Sequence, residues 1–527
     1  MATLYKNCKV YTMELENDYC AFLVEDGRIA ALYTPEEPLP QVKETVDLGG
    51  ATVLPGLIDS HLHFMASVAY TAFLPLFQLK AGKPYPTTFA QLCKLLAGFT
   101  AGKDKDIPLV AYAYAPSVME EQRLPTRQEL DRYTDGATLS VMTVDGHASS
   151  HSTRMLELLG LGQEAPEGIL SGPAHERAMA ALTAQIAKSL RPADITRQLA
   201  AFVNRALSFG VTCCCCMEGS SNEKDPALSL FLRLAARLPL DIRLYPQLTD
   251  LDIVEEFTPL MARRRVGGCG LWQIDGSVGA KSAAFPEPYL GEDAPAAPYY
   301  SKEAFCALIK EADSRDYSVS CHAIGTTACE MALEAYEAVC HSGNPRRHRI
   351  DHFEFSTPQQ AKRAADMGLY VAAQPGYSWY DEKFLHSYAQ YLPPQVHRRQ
   401  LPLSTLAKHH LLLGSSDSPI QDIDPFIQMQ GMVEFPLPQF RLSLYQAFET
   451  YTVNAARALG EEAVRGSLTP GKKADFILFD RDPFTLPLSE IHTLKPTATF
   501  IDGKRCRPMT GAGLEPFAAL LKRAKPI

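Results

Sequence analysis

Ala51-Thr-Val-Leu-Pro-Gly-Leu-Ile-Asp-Ser-His-Leu-His63 is an apolar run that ends in two histidines one residue apart. In an extended chain, side chains two apart point the same way. His61 and His63 therefore leave a strand end on one face, close enough to hold a single metal ion. Three more candidate ligands repeat the arrangement far downstream, each after a short apolar strand. His322 follows Tyr317-Ser-Val-Ser-Cys321, His352 follows Arg349-Ile-Asp351, and Asp417 follows Leu411-Leu-Leu-Gly-Ser-Ser416. Ligands delivered from the C-terminal ends of successive strands describe the mouth of an α/β fold of the (β/α)8 TIM-barrel type, the face where such folds place their chemistry. Nitrogen and oxygen donors suit Zn²⁺, with another divalent metal as the alternative. The pattern predicts a metal-dependent hydrolase.

A chain of 527 residues exceeds one ordinary domain, so a large barrel with a smaller companion is expected. The net charge of −9 argues against a nucleic-acid partner. No apolar stretch approaches the roughly 18–20 residues of a membrane span, and the N-terminus carries no visible secretory signal. A soluble cytoplasmic protein acting on a small molecule is the expectation, and its 13 cysteines then read as reduced thiols. The run Cys213-Cys214-Cys215-Cys216 cannot converge on one ion, because adjacent strand residues face opposite ways. It reads as small apolar filler in a buried strand.

Both ends of the chain are β-like. Tyr19–Tyr33 reads as two strands about an Asp26-Gly27 turn, and Thr497–Cys506 carries a second Asp-Gly turn. Residues 1–53 and 457–506 are therefore expected to meet in one small β-domain. From 54 to 456, strand candidates alternate with helical segments: Leu109–Tyr114, Leu139–Val144, Val211–Met217, Asp241–Tyr245, Gly270–Ile274, Ser318–Cys321, Arg349–Ile350, Tyr370–Ala373 and Leu411–Gly414. That alternation implies parallel βα units. The strands outnumber those of one barrel, which places an insertion at about 64–145, over the site. Its Tyr70, Phe73, Phe77, Tyr85 and Phe89 are candidates for an apolar substrate wall or for the insertion's own core. Residues 507–527 read as a helical tail.

With these motifs aligned, the chain resembles the amidohydrolase superfamily, in the branch of family 3 that includes N-substituted formamide deformylases. The resemblance runs through Leu54–His63, Asp145-Gly-His-Ala148, Asp275-Gly-Ser-Val-Gly-Ala280, His322-Ala-Ile-Gly325, His352, Gln374-Pro375, Ser416-Asp417-Ser-Pro419, Thr452-Val-Asn-Ala-Ala456 and Gly466–Phe476. It implies a metal-centred barrel with a small β-sandwich from both termini, and a homodimer as the family-level assembly. Many relatives carry a lysine four residues before the Asp-Gly-Ser motif, whose carbamylated form bridges two metals. Leu271 stands there, so one zinc is expected rather than two. Glu218, at the end of the cysteine strand, is the candidate substitute carboxylate. A second departure is Thr326, where relatives usually have Asp.

The metal set read from the chain is thus His61, His63, His322, His352 and Asp417, with Glu218 as an addition. Asp417 is expected to act as general base and then acid. His147, after the strand Leu139–Val144, is the candidate donor to a substrate oxyanion. Gln374, Ser277 and Asp275 are candidate substrate or loop-shaping residues. The leading reaction is hydrolysis of a C–N bond in an amide, formamide or N-acyl compound. Deamination of an amidine-like or heterocyclic C=N is the enzymatic rival, and a non-catalytic scaffold barrel the rival from another class. His322 is followed by Ala-Ile-Gly-Thr rather than a His-x-x-Glu pattern, which favours amide hydrolysis. His341 and His348 read as solvated loop residues, and His409 and His410 as lying at the far end of the barrel.

Overall fold

The computed structural model of the protein describes residues 2–77, 85–189, 191–219, 222 and 226–509. Eight parallel strands carry the framework: β1 (Leu57–Leu62), β2 (Val211–Glu218), β3 (Asp241–Pro246), β4 (Arg265–Gln273), β5 (Ser318–Ala323), β6 (Arg349–His352), β7 (Tyr370–Ala373) and β8 (Leu412–Gly414). They form two sheets, β1 to β3 and β4 to β8, each paired in chain order. The edges of the two sheets adjoin. β3 lies beside β4, and past the end of β8 the Asp417 N–H donates to the His61 carbonyl at 2.9 Å. The His63 N–H answers with a 2.8 Å bond to the Ser418 carbonyl. Helices Pro192–Ser208, Lys302–Ser314, Thr326–Glu337 and Pro358–Asp366 connect successive strands, as the βα alternation predicts.

β1, β2 and β3 are buried at every position, as strands covered on both faces must be. The cysteine run obeys the alternation. Cys214 and Cys216 pack with Leu54 and Leu244, while Cys213 and Cys215 pack on the other side with Ile58 and Tyr245. Burial pushes the Cys215 thiol up to about 12 and holds Cys214 and Cys216 well above the ordinary range. These thiols stay protonated and serve as apolar filler.

The two termini build a seven-stranded mixed sheet. Its order is Lys504–Arg505, Ala498–Ile501, Phe476–Phe479, Glu44–Pro55, Ala2–Val10, Tyr19–Glu25 and Arg28–Tyr33. Both Asp-Gly turns are present, with positive φ at Asp26 (48°), Gly27 (79°), Asp502 (50°) and Gly503 (71°). That is the pattern a tight two-residue hairpin requires. Rings of Tyr5, Phe22, Phe476 and Phe500 pack between the strands, the last two stacked 4.3 Å apart. A separate five-stranded sheet, from Leu74–Pro75 to Ile169–Ser171, accounts for the surplus strands. Three of its strands fall within the expected insertion, and Ala148–His151 and Ile169–Ser171 lie beyond it. The expected tail falls outside the described residues from 510 onward. No helix among the described residues is long and apolar enough to cross a membrane.

β4 departs from the sequence reading in a way that shapes the centre. It starts at Arg265, five residues before the expected Gly270, and it is not regular. Gly267 pairs with Ser320 and Gly268 with Cys321, but the next pairing is Gln273 with His322, so residues 269–272 bulge out. Gly267, Gly268 and Gly270 hold φ of 115°, 105° and 61°. A Cβ on Gly267 would stand 1.9 Å from the Ser320 carbonyl oxygen. Gly49, by contrast, has φ of 63° and open space around it. Gly267→Ala is therefore expected to cost about 2–5 kcal/mol, and Gly49→Ala only about 1 kcal/mol. Thermal unfolding of the two variants side by side checks this, and equal midpoints would remove the steric role given to the bulge.

Candidate metal centre

Three strand ends and two loops bring the predicted ligands together. His61 is fully buried at the end of β1, His63 stands two residues on, His322 lies in β5, His352 ends β6, and Asp417 follows β8. Asp417 Oδ1 lies 3.2 Å from His61 Nε2 and 3.3 Å from His63 Nε2. Around a tetrahedral zinc, bonds of about 2.0–2.2 Å set a nitrogen–oxygen edge of roughly 3.3 Å. The three donors thus hold the spacing of ligands to one ion. Asp417 Oδ1 is buried and makes no well-directed hydrogen bond, which is unusual for a carboxylate oxygen unless a cation satisfies it. The residues fit a divalent metal.

The outer side of each ring strengthens that fit. His61 Nδ1 is 2.9 Å from Asp351 Oδ2, His63 Nδ1 is 3.3 Å from the Met217 carbonyl, and His352 Nδ1 is 2.7 Å from Gln374 Oε1. His322 turns Nε2 outward, 3.3 Å from the Gly276 carbonyl, with Asp275 Oδ1 at 3.7 Å. Each outer partner is an acceptor, so the outer nitrogen carries a proton and the inner one is left to present its lone pair once a cation takes the place of the inner proton. Metal-binding histidines are held in this way. Backbone strain adds to the aiming, because His352 and Asp417 hold φ of 70° and 56°, a region that non-glycine residues seldom adopt.

Sequence reasoning missed three residues here. Cys269, on the β4 bulge, places Sγ 3.4 Å from His322 Nδ1 and 3.7 Å from both His61 Nε2 and His352 Nε2. The signal was present: Gly-Gly-Cys-Gly inside a strand marks a bulge or a close approach. Asp351 neighbours His352 in sequence and holds His61. It is itself held by Arg349, whose Nε is 3.1 Å from Asp351 Oδ1 and whose Nη1 donates to the Ser60 carbonyl at 2.7 Å. Tyr377 donates from its hydroxyl to Asp417 Oδ2 at 2.6 Å, and nothing in its local sequence marks it.

The other candidates take varied places. His147 borders the cavity, with its ring centre 5.5 Å from that of His322 and Nδ1 3.5 Å from Glu176. Glu218 is buried, accepts the Met65 amide at 3.2 Å, and belongs to neither metal-competent group among the described residues. Asp275 accepts from the backbone amides of Ala284, Ile324 and Gly325 at 2.8–2.9 Å. Ser277 borders the cavity and donates to Asp145 at 2.5 Å. Gln374 holds His352 and donates to Ser415 at 2.8 Å. His348, read as solvated, is buried instead. It accepts the Val319 amide at 3.1 Å and meets Asp313 at 3.1 Å, because the loop before β6 folds back onto the start of β5.

The electrostatics favour positive charge at the centre. Burial works against an ionised Asp417, yet His61 and His63 hold its carboxyl well below the usual range. Burial also opposes a charged His61, while Asp351, Cys269 and Asp417 hold its pKa well above the ordinary value. Anions this close together in a dry site require protons or a cation between them.

Residues 44–506 match the amidohydrolase family. The chain belongs to that family. It is 25% identical to N-substituted formamide deformylase of Arthrobacter pascens, across 96% of this chain and 98% of that one. The putative amidohydrolase YtcJ of Bacillus subtilis is likewise 25% identical, across 96% and 99%. Two solved structures share the fold, both uncharacterised metal-dependent hydrolases. That from Pyrococcus furiosus gives a TM-score of 0.70 at 22% identity over 92% of this chain and 100% of its own. That from Pyrococcus horikoshii OT3 gives 0.69 at 21%, over 93% and 99%. Membership makes a hydrolase dependent on a metal the coarse function.

If the outer acceptors set these rings, Gln374→Met should weaken metal binding by roughly 10–100-fold. Competition with a chromophoric chelator measures it, and an unchanged affinity would remove His352 from the ligand set.

Proposed function

We propose that this amidohydrolase cleaves a C–N bond in an amide, formamide or N-acyl compound, at the mouth of a closed (β/α)8 barrel, with Zn²⁺ as the metal. The observation that carries the reading is the convergence of inward lone pairs from His61, His63, His322 and His352 beside Asp417. Bound there, the ion would lower the pKa of a coordinated water towards neutrality and polarise the substrate carbonyl. Asp417 takes the proton of the attacking water and returns it to the departing nitrogen, so one carboxylate serves as base and then acid. Tyr377, bonded to Oδ2, keeps that carboxylate in one orientation. His147 donates to the developing oxyanion, with Glu176 behind its Nδ1 holding the ring.

The cavity indicates the kind of substrate. It has a volume of about 810 Å³ and is walled by Tyr70, Phe73, Phe77, Tyr112, Tyr380 and Tyr388 among others. Tyr70, Phe73 and Phe77 come from the segment where the sequence suggested an apolar wall. Tyr85 packs on Phe77 at 4.6 Å, and Phe89 is spent in the lobe's own core. The charged groups on the wall are Asp145, Glu354, Asp381, Asp417 and Asp422 against Arg205, which is paired with Asp422. An aromatic amide that is neutral or cationic suits this lining, and a carboxylate-bearing one does not.

Two outcomes are expected. N-benzyl formamides or acylamides should exceed their N-methyl counterparts by roughly 10–100-fold in kcat/KM, since burying a ring contributes about 1.5–3 kcal/mol. Asp417→Asn should lose roughly 10²–10⁴ in kcat while the protein still takes up metal. Elemental analysis joined to a hydrolysis screen, with ammonia release read in parallel, tests both. Wild-type kcat in Asp417→Asn would remove the acid–base role, and ammonia from a C=N substrate alone would favour deamination.

A further inference from the structure

The β4 bulge departs from regular pairing at the point where the strand passes the imidazoles. It uses three glycines at positive φ and interrupts four residues of pairing between β4 and β5. It buries Trp272 in the core, with the indole N–H donating to the Leu248 carbonyl at 2.9 Å, and it carries Cys269 into the midst of the imidazoles. Around a tetrahedral zinc, bonds of about 2.3 Å to sulfur and about 2.0–2.1 Å to nitrogen set a sulfur–nitrogen edge of roughly 3.5 Å. The observed separations are 3.4 Å to His322 Nδ1 and 3.7 Å to His352 Nε2, and again 3.7 Å to His61 Nε2. The sulfur therefore holds ligand spacing to one member, His61, of a first set and to both members of a second. One is the set of His61, His63 and Asp417, and the other is the pair His322 and His352.

We propose that Cys269 is a bridging thiolate between two metal ions, one held by His61, His63 and Asp417, the other by His322 and His352. This rests on the metal-hydrolase reading above and revises its ion count. Leu271, where a bridging lysine was sought, argued for a single ion. The bulge moves the bridging position two residues upstream and changes the donor from a modified lysine to a thiolate. Two cations a few ångströms apart repel strongly unless an anion lies between them, and Cys269 is the anion-forming side chain placed there. Borderline-soft divalent ions such as Zn²⁺ and Co²⁺ accept thiolate readily. Of the two donor groups close enough to share an ion, Asp417 stands with His61 and His63 while Cys269 stands with His61 and His352, so the sulfur reaches from the first group towards the second.

Full-length protein stripped with chelator and titrated with Co²⁺ provides the test. Wild type should take up two equivalents and develop a near-ultraviolet thiolate-to-cobalt charge-transfer band. Cys269→Ser should lose that band and retain one equivalent. Cys269→Asp restores an anionic bridge, so it should recover the second equivalent without the band, which guards against a merely misfolded serine variant. Uptake of cobalt by wild type with no band, or a band that saturates at one equivalent, overturns the bridge and leaves the hydrolase reading standing. Two equivalents retained in Cys269→Ser also overturn it. A wild-type protein that takes up no metal at all sinks both.

Discussion

A buried cluster of imidazoles coordinates a metal only if every inward nitrogen is free of its proton. That constraint organises the centre of this protein. Each ring meets it with an acceptor behind it: Asp351 for His61, the Met217 carbonyl for His63, Gln374 for His352, and the Gly276 carbonyl for His322. The acceptors sit on, or just past the end of, different strands from those that carry the rings, so orientation of the cluster depends on the strands being in register. Loss of one acceptor frees a ring to turn and lets a proton occupy the inner nitrogen.

The supports need supports of their own. Asp351 is a fully buried carboxylate, and it stays ionised because Arg349 and His61 outweigh the burial that opposes its charge. Arg349 in turn donates to Ser60 and Ser320 and lies 4.3 Å over the ring of Tyr245. A chain of contacts thus runs from the interior of the sheets to the clustered imidazoles. Stability and site geometry are coupled here, since removing one partner of a buried charge pair leaves the other uncompensated.

The aromatic, acidic cavity above the rings shares its walls between the loops after the parallel strands and the five-stranded lobe with its approach. The helical segment after β7 supplies Tyr377, Tyr380 and Tyr388, and the segment after β1 supplies Tyr70, Phe73 and Phe77. The candidate ligands and the cavity wall therefore come from different parts of the chain: strand ends carry the histidines, and connecting segments carry the wall. A change in the lobe can alter which substrate fits while the strand ends remain as they are.

Much of the framework was legible in the residues alone. Apolar runs ending in His or Asp marked the strands and the candidate ligands that the fold brings together, because a strand end is a local feature with a fixed side-chain direction. The Asp-Gly turns and the buried cysteine strand were equally local. Cys269, Asp351 and Tyr377 were not found, since each acts through a partner on a distant strand or loop. Periodicity carries no information about which side chains meet across a barrel. The Gly-Gly-Cys-Gly segment hinted at a bulge, but only pairing with β5 shows where the bulge aims its cysteine. Sequence by itself determined the residue types and the strands that bear them. Tertiary structure alone decided the outer acceptors, the placement of the thiol and the cavity wall, because these are set by packing between segments hundreds of residues apart.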